Sequence, residues 1–131
     1  MINELLKITK ENNEMLKKIV SHIENINELE KCGAESGTLE YIAKNSDVVI
    51  TMLPNSPQVK EVILGENGVA RYMKSGTCFI DMSSINPVDS RYIGKILKEK
   101  EIEMLDAPVS GGEPKAIDGT VAFMVGGDEN T

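Results

Sequence analysis

The sequence predicts an α/β fold, namely an incomplete doubly wound, Rossmann-like parallel sheet with an extra N-terminal amphipathic helix. Its 131 residues fit one domain. Apolar runs of strand length alternate with helical patterns from residue 47 onward, as in βαβ units that build a parallel sheet. Residues 1–30 contain no Gly or Pro and have a helical apolar period. We therefore predict an amphipathic helical segment at 1–30 and a partial domain at 31–131.

The N-terminal segment has a single apolar stripe, which must be buried on its own domain or on a partner helix. Asn12 and His22 interrupt the stripe and could fix the register of a helix pair. The alternative is an ordinary amphipathic helix packed on its own domain, with polar residues near the rim of the stripe. Cys32-Gly33 and Ser36-Gly37 predict the end of the helical pattern. The stripe consists of Leu5, Ile8, Asn12, Met15, Ile19, His22, Ile26 and Leu29.

The next elements follow from capping residues and apolar runs. Thr38 is a suitable N-cap for a short helix that reaches Asn45. The run "DVVITML", residues 47–53, is typical of a strand buried on both faces of a parallel sheet. Pro54 ends this strand because proline cannot continue a central strand. A helical pattern covers residues 58–64.

The second half of the chain repeats the alternation. "TCFIDMSS", residues 77–84, is a second buried strand, and Asn86-Pro87 begins a helix with proline near its first position. "IEMLDAPV", residues 102–109, predicts a third strand. "TVAFMVGG", residues 120–127, predicts a fourth.

Charge and cysteine content exclude several function classes. The chain has 14 Lys and Arg against 21 Asp and Glu, a net charge of -7, and no basic patch, so we expect no nucleic-acid and no membrane partner. It has no apolar run long enough to span a bilayer and no leader-like start, which favours the cytoplasm. Cys32 and Cys78 lie far apart without a CxxC motif, so we expect two reduced thiols and no metal site.

Three loops built from small and polar residues follow the first three predicted strands. They are "LPNSP", "MSSINP" and "APVSGG". Turns require such residues in any protein, but ligands of open α/β sheets bind at the carboxyl ends of strands, where these loops would meet. Gly111 and Gly112 would let backbone amides approach an anion, and Ser110 could donate a hydrogen bond to the same anion.

The sequences "DVVITMLPNSPQVKEVILGENGV", "GTCFIDMSSINP" and "MLDAPVSGGEPKAIDGT" resemble the β-hydroxyacid dehydrogenase family, with its 6-phosphogluconate dehydrogenase-like NAD-binding domain. They are most similar to the family's 2-hydroxy-3-oxopropionate (tartronate semialdehyde) reductases, followed by its 3-hydroxyisobutyrate dehydrogenases. The resemblance covers about residues 29–127. The phrase Asp-Ala-Pro-Val-Ser-Gly-Gly is far more specific than a lone glycine motif.

This resemblance implies an enzyme that uses NAD or NADP to interconvert a small 3-hydroxy acid and its semialdehyde. It implies that two loops border the nicotinamide and its ribose, and that a third holds the carboxylate or hydroxyl of the substrate. The cofactor-binding residues would be Leu53, Pro54, Asn55, Ser84 and Ile85. The substrate-binding residues would be Ser110, Gly111 and Gly112.

The sequence departs from the family pattern in two respects. It has no Gly-x-Gly-x-x-Gly motif, which would place a helix N-terminus at the pyrophosphate. The family's catalytic Lys has no match here, since Lys115 lies at a different position, and we predict no catalytic residue. Loss of a proton donor costs ~10²–10⁴-fold in rate. We therefore expect an inactive chain or, alternatively, a catalytically silent interaction or oligomerisation module on a truncated Rossmann scaffold.

The oligomeric state follows from the same comparison. Without the family's first strand, "DVVITML" would have an unpaired apolar edge, which proteins cover or protect. We expect a homo-oligomer in which a second copy covers this edge, through strand pairing or through the helix of residues 1–30.

Overall fold

The computed structural model describes residues 25–131. The chain divides into two compact units, Met1–Ser36 and Gly37–Thr131. In the first unit, residues 25–31 are helical. The amides of Cys32 and Ala34 donate to the carbonyl of Leu29 at 3.0 and 3.1 Å, which confirms the predicted helix end. The stripe residues before position 25 lie outside the described residues, so both interpretations of Asn12 and His22 stay open.

The second unit is built around a parallel sheet. Strands β1 (Val48–Thr51), β2 (Cys78–Asp81) and β3 (Glu103–Asp106) are adjacent in this order, and both pairings are parallel. The register aligns Thr51 with Asp81 and Asp81 with Asp106. The helical elements are α1 (Leu39–Asn45), α2 (Ser56–Leu64), a 3₁₀ turn (Val69–Arg71) and α3 (Pro87–Glu99). The predicted Rossmann-like α/β fold is confirmed.

The fourth predicted strand is not part of this sheet. Strand β5 (Ala122–Phe123) pairs antiparallel with β4 (Val109–Ser110), and the short helix α4 (Gly112–Ile117) lies between them. A further antiparallel bridge joins Asp106 to Gly126. A parallel neighbour needs a crossover connection of a dozen or more residues. The segment between β4 and β5 is shorter than that, so the chain reverses.

The helix starts follow from local side-chain chemistry. The hydroxyl of Thr38 accepts a hydrogen bond from the amide of Tyr41 at 3.1 Å, and the side chain of Asn86 accepts one from the amide of Val88 at 2.9 Å. Both bonds satisfy amides that lack a partner inside the first turn. None of the helices from residue 25 onward is long and apolar enough to cross a membrane.

The core lies on one face of the sheet. Its largest fully buried side chains come from β2 and the helices: Phe79, Ile63, Ile93, Leu97 and Val59. On α3, Val88 is 68% exposed, whereas Ser90, Ile93 and Leu97 are buried.

The expectation that β1 is buried on both faces is wrong for the described residues. Val49 and Thr51 are buried, whereas Val48 and Ile50 are 46% and 57% exposed. Successive strand residues point to opposite faces of the sheet. The core packs only against the face that carries Val49 and Thr51. An apolar run shows that both faces of a strand are suitable for burial. It does not show whether another part of the protein packs against the second face.

Candidate functional site

A cleft of about 910 Å³ lies at the carboxyl ends of β1 and β2. Because these strands are parallel, the loops that follow them leave from the same edge of the sheet. The segment from β4 through α4 to β5 forms the other side. The residues lining the cleft are Met52, Leu53, Pro54, Met82, Ser83, Ser84, Val109, Gly112, Glu113, Ala116, Gly119, Val121 and Phe123.

Three of the five residues assigned to the cofactor line this cleft: Leu53, Pro54 and Ser84. Asn55 occupies the N-cap position of α2, and its exposed side chain makes no capping hydrogen bond. Ile85 is half-buried and packs against the hydrophobic core. The two loops therefore meet as the sequence predicts, although neither Asn55 nor Ile85 is part of the cleft wall.

Of the three residues assigned to the substrate, Gly112 lines the cleft. Ser110 is the exposed last residue of β4. Gly111 has φ 140°, and a Cβ built there would lie 2.7 Å from the Cβ of Lys115. L-residues rarely adopt this backbone conformation. The tight connection between β4 and α4 therefore requires glycine at position 111 irrespective of any ligand.

A buried hydrogen-bond network supports the floor of the cleft. Oδ1 of Asp81 accepts from the hydroxyl of Thr51 at 2.9 Å and from the amide of Ser83 at 3.0 Å. The hydroxyl oxygen of Ser83 accepts from the amide of Leu53 at 2.8 Å. One carboxylate oxygen thus connects the end of β1, the end of β2 and the loops after both strands.

The second oxygen of this carboxylate is Oδ2 of Asp81. Asp81 is fully buried, and no hydrogen-bond partner for its Oδ2 is found within residues 25–131. Asp106 stands beside it in register on β3. Burial raises the pKa of Asp106, the neighbouring Asp81 charge raises it further, and a hydrogen bond from Ser90 opposes both effects. Adjacent carboxylates disfavour simultaneous ionisation.

A second set of contacts joins the N-terminal parts of α2 and α3, which follow the two loops. The amide of Asn86 donates to the hydroxyl of Ser56 at 3.1 Å, and Lys60 pairs with Asp89 at 2.9 Å. Hydrogen bonds from Lys60 and Ser56 lower the pKa of Asp89. The loops are therefore attached to each other from the sheet side and from the helix side.

The sequence profile described as the NAD binding domain of 6-phosphogluconate dehydrogenase matches residues 7–131. The chain belongs to this family. Its cleft lies where open α/β sheets bind their ligands, and the predicted family resemblance is confirmed.

Individual relatives of this NAD-binding domain are also named as dehydrogenases or reductases. The chain is 44% identical over 107 residues to a Dictyostelium discoideum protein named "Probable 3-hydroxyisobutyrate dehydrogenase, mitochondrial", covering 81% of this chain and 33% of the relative. It is 44% identical over 103 residues to 2-hydroxy-3-oxopropionate reductase of Escherichia coli (strain K12), covering 78% and 35%. The chain therefore spans about a third of the length of these curated relatives.

A solved structure gives the same result for the fold. The crystal structure of 3-hydroxyisobutyrate dehydrogenase from Salmonella typhimurium superposes with a TM-score of 0.65 at 35% identity, covering 70% of this chain and 32% of that one. The three-stranded sheet and its helices are thus an arrangement that a dehydrogenase also contains.

Several residues that support or line the cleft of this NAD-binding domain were not predicted as site residues. Thr51 and Asp81 lie inside runs that were assigned only as strands, although a Thr and an Asp at the ends of apolar strands were a usable signal. Phe123 lines the cleft because β5 folds back on β4. The segment before β5 is too short for a parallel crossover, and this length was the usable signal for the reversal.

Proposed function

We propose that the cleft binds the nicotinamide half of NAD or NADP, as part of an enzyme that interconverts a small 3-hydroxy acid and its semialdehyde. The observation that carries this proposal is the convergence of Leu53, Pro54 and Ser84 on one cleft at the carboxyl ends of β1 and β2, in a chain of the NAD-binding family. Open α/β sheets bind cofactors at this edge.

The chemistry of the cleft fits a nicotinamide. Met52, Met82, Val121 and Phe123 give it apolar surface against which a flat ring can pack. The hydroxyl of Ser84, at the rim, is available to the polar carboxamide or ribose. When bound, a nicotinamide supplies hydride transfer. The protein residues would hold its ring, exclude water from one side and orient the carboxamide.

The fit applies to the nicotinamide half only. The sequence contains no Gly-x-Gly-x-x-Gly motif, and a pyrophosphate needs such a loop at a helix N-terminus. We therefore propose that the described residues bind the cofactor weakly and mainly through its nicotinamide end.

The substrate would lie beside Gly112, where a carboxylate can approach backbone amides without a side chain in the way. Glu113 is the one ionisable residue that lines the cleft within the described part of the chain, and its negative charge does not suit it to hold a carboxylate. No described Lys, His, Tyr or Cys lines the cleft to donate a proton. We propose that these residues bind ligands without turnover.

The test is a titration of the 131-residue chain with NADH and NADPH, following nicotinamide fluorescence and the melting temperature. At 100-fold its Kd, a site-specific ligand stabilises a protein by about 2.7 kcal/mol. Reduced nicotinamide mononucleotide should reproduce the shift, whereas ADP-ribose should not. Absence of a shift with all reduced cofactors at millimolar concentration would exclude the proposal for this chain.

A matched pair of substitutions on α4 locates the ligand. Ala116 lines the cleft, so Ala116→Trp should fill it and abolish the shift. Ile117 is 80% exposed and does not line the cleft, so Ile117→Trp should leave binding within about twofold of the parent. Equal binding by the two variants would put the cofactor elsewhere.

A second candidate function is self-association, as in the interaction module that the sequence leaves open. β1 is at the edge of the sheet within the described residues, and Val48, Ile50 and Met52 are 46%, 57% and 61% exposed. An exposed apolar edge strand is a template for pairing with another strand. We propose that a second copy covers this edge, so that the chain forms a homo-oligomer.

A further inference from the structure

We propose that Asp81 is a positioning residue that holds the two cleft loops, Leu53-Pro54 and Ser83-Ser84, as one rigid unit. This extends the proposed function, since those loops would contact the nicotinamide. Asp81 itself is fully buried below the cleft and is not among its lining residues. It would therefore act on the ligand only through the residues it holds.

The backbone ladder of the sheet ends just before the loops. The last bond between the two strands joins the amide of Met82 to the carbonyl of Thr51 at 2.8 Å. Just beyond the ends of the two strands, the amides of Ser83 and Leu53 bond to side chains instead, at 3.0 and 2.8 Å. The position of the loops thus depends on these side-chain acceptors where sheet pairing has stopped.

Three side-chain hydrogen bonds connect the end of β1 to the Leu53 loop through Asp81 and Ser83. Thr51 fixes Oδ1 of Asp81, this oxygen holds the amide of Ser83, and the Ser83 hydroxyl oxygen holds the amide of Leu53. We expect loss of any link to loosen the Leu53 loop, although the bond from Met82 to Thr51 would still hold the base of the loop. Hydrogen bonds that involve a carboxylate are stronger than neutral ones, so Oδ1 is the strongest anchor among these three bonds.

Stability alone does not explain a carboxylate at this position. Asp81 is fully buried, and its Oδ2 has no hydrogen-bond partner among residues 25–131. Burial of an incompletely satisfied polar group costs free energy, and well-packed apolar residues often replace buried charged groups without loss. A buried carboxyl with one unsatisfied oxygen among the described residues, and with the other oxygen bonded to the loops, has the properties of a positioning residue.

The experiment measures hydrogen exchange of the Leu53 amide in the ligand-free 131-residue chain. Ser83→Ala removes the acceptor of that amide and should raise its exchange rate about tenfold, the equivalent of a typical hydrogen bond. The amides of Val49 and Phe79 in the same strands should stay within twofold of the parent. Ser84→Ala, which changes the adjacent exposed serine, should leave the Leu53 amide unchanged.

Two substitutions of Asp81 complete the design. Asp81→Asn keeps an acceptor oxygen at the position of Oδ1 and should preserve most of the Leu53 protection. Asp81→Leu should lose it. If Asp81→Leu does not fold, Ser83→Ala and Asp81→Asn still decide the question. Unchanged Leu53 exchange in Ser83→Ala, or uniformly faster exchange throughout β1 and β2, would overturn the proposal.

Binding of NADH links the loops to the cofactor. Ser83→Ala should weaken NADH binding several-fold, and Asp81→Asn should weaken it less. If the parent chain does not bind NADH but the Leu53 amide responds as expected, the proposed function fails and the positioning role stands. If NADH binds equally to parent and Ser83→Ala while Leu53 exchange is also unchanged, the positioning role fails and the proposed function stands.

Discussion

Thr51 and Asp81 end two adjacent parallel strands, and the Thr51 hydroxyl donates a 2.9 Å hydrogen bond to Oδ1 of Asp81. Both side chains are buried, so water cannot replace this bond if it is lost. Beyond these residues the chain leaves the sheet and forms the cleft. The bond therefore lies at the boundary between the rigid core and the loops that would contact a ligand.

Replacement of Thr51 tests the strength of this bond. Thr51→Val keeps the side-chain shape but removes the donor, so we expect a loss of about 1 kcal/mol in the free energy of unfolding, the net contribution of a typical hydrogen bond. Oδ1 of Asp81 would still accept from the amide of Ser83. Thr51→Ser retains the hydroxyl and should lose less. Urea denaturation monitored by circular dichroism measures both, and equal losses would mean that the hydroxyl is unimportant.

The pH dependence of stability should report the half-buried carboxyl of Asp106. Its pKa is raised above the ordinary 3.8 by burial and by Asp81, so the protonated form is favoured in the folded state. The stability contributed by the proton is complete below the unfolded pKa and is lost as the pH rises through the folded pKa. Asp106→Asn, which mimics the neutral acid, should therefore gain stability relative to the parent at pH 7 but not at pH 3.

The control for this prediction is the same substitution at an exposed site. Asp47 is exposed, so Asp47→Asn makes the same chemical change without altering a partly buried group. Urea midpoints at pH 3, 5 and 7 provide the measurement. An Asp106→Asn effect that is constant across this range would show that no raised pKa contributes to stability.

Two isoleucines on helices test the location of the core. Ile93 is fully buried on α3, whereas Ile117 is 80% exposed at the end of α4. Ile93→Ala should cost about 2–5 kcal/mol through lost apolar burial and a cavity, and Ile117→Ala should change stability by less than about 0.5 kcal/mol. Chemical denaturation measures both, and similar losses would contradict the described packing.

Self-association can be tested with one substitution at two exposed valines. Val48 lies on the edge strand β1 and Val88 on α3, and they are 46% and 68% exposed. Val48→Glu should give a one-chain mass, because charge on an edge strand opposes pairing. Val88→Glu should retain the mass of the parent in light scattering at micromolar concentration. A one-chain mass for the parent itself would exclude the homo-oligomer.

Much of the fold could be predicted because its signals are local. Thr38 and Asn86 bond to amides two or three residues away, and such caps are visible in any short window of sequence. The three strands of the sheet were recognisable from apolar runs bounded by Pro, Gly and Ser. The fourth apolar run, residues 120–127, was wrongly predicted to extend the parallel sheet. Its apolar content identifies a strand but not the partner or direction of that strand.

The site was predictable only in part. Topology indicated that the loops after β1 and β2 would meet, and Leu53, Pro54 and Ser84 do line one cleft. The prediction did not resolve which loop residues face inward, and Ile85 packs on the core instead. The roles of these residues, the oligomeric state and the cytoplasmic location stay predictions.

The sequence alone determined the three strands of the parallel sheet, the helices that connect them and the family resemblance, because periodicity, capping and motifs act over a few residues. The tertiary structure decided which side chains meet. The bonds from Thr51 to Asp81, Leu53 to Ser83 and Asn86 to Ser56 each join residues 30 positions apart. Such contacts depend on how the intervening helices pack, so no short pattern encodes them. The proposed function depends on the cleft that these contacts support.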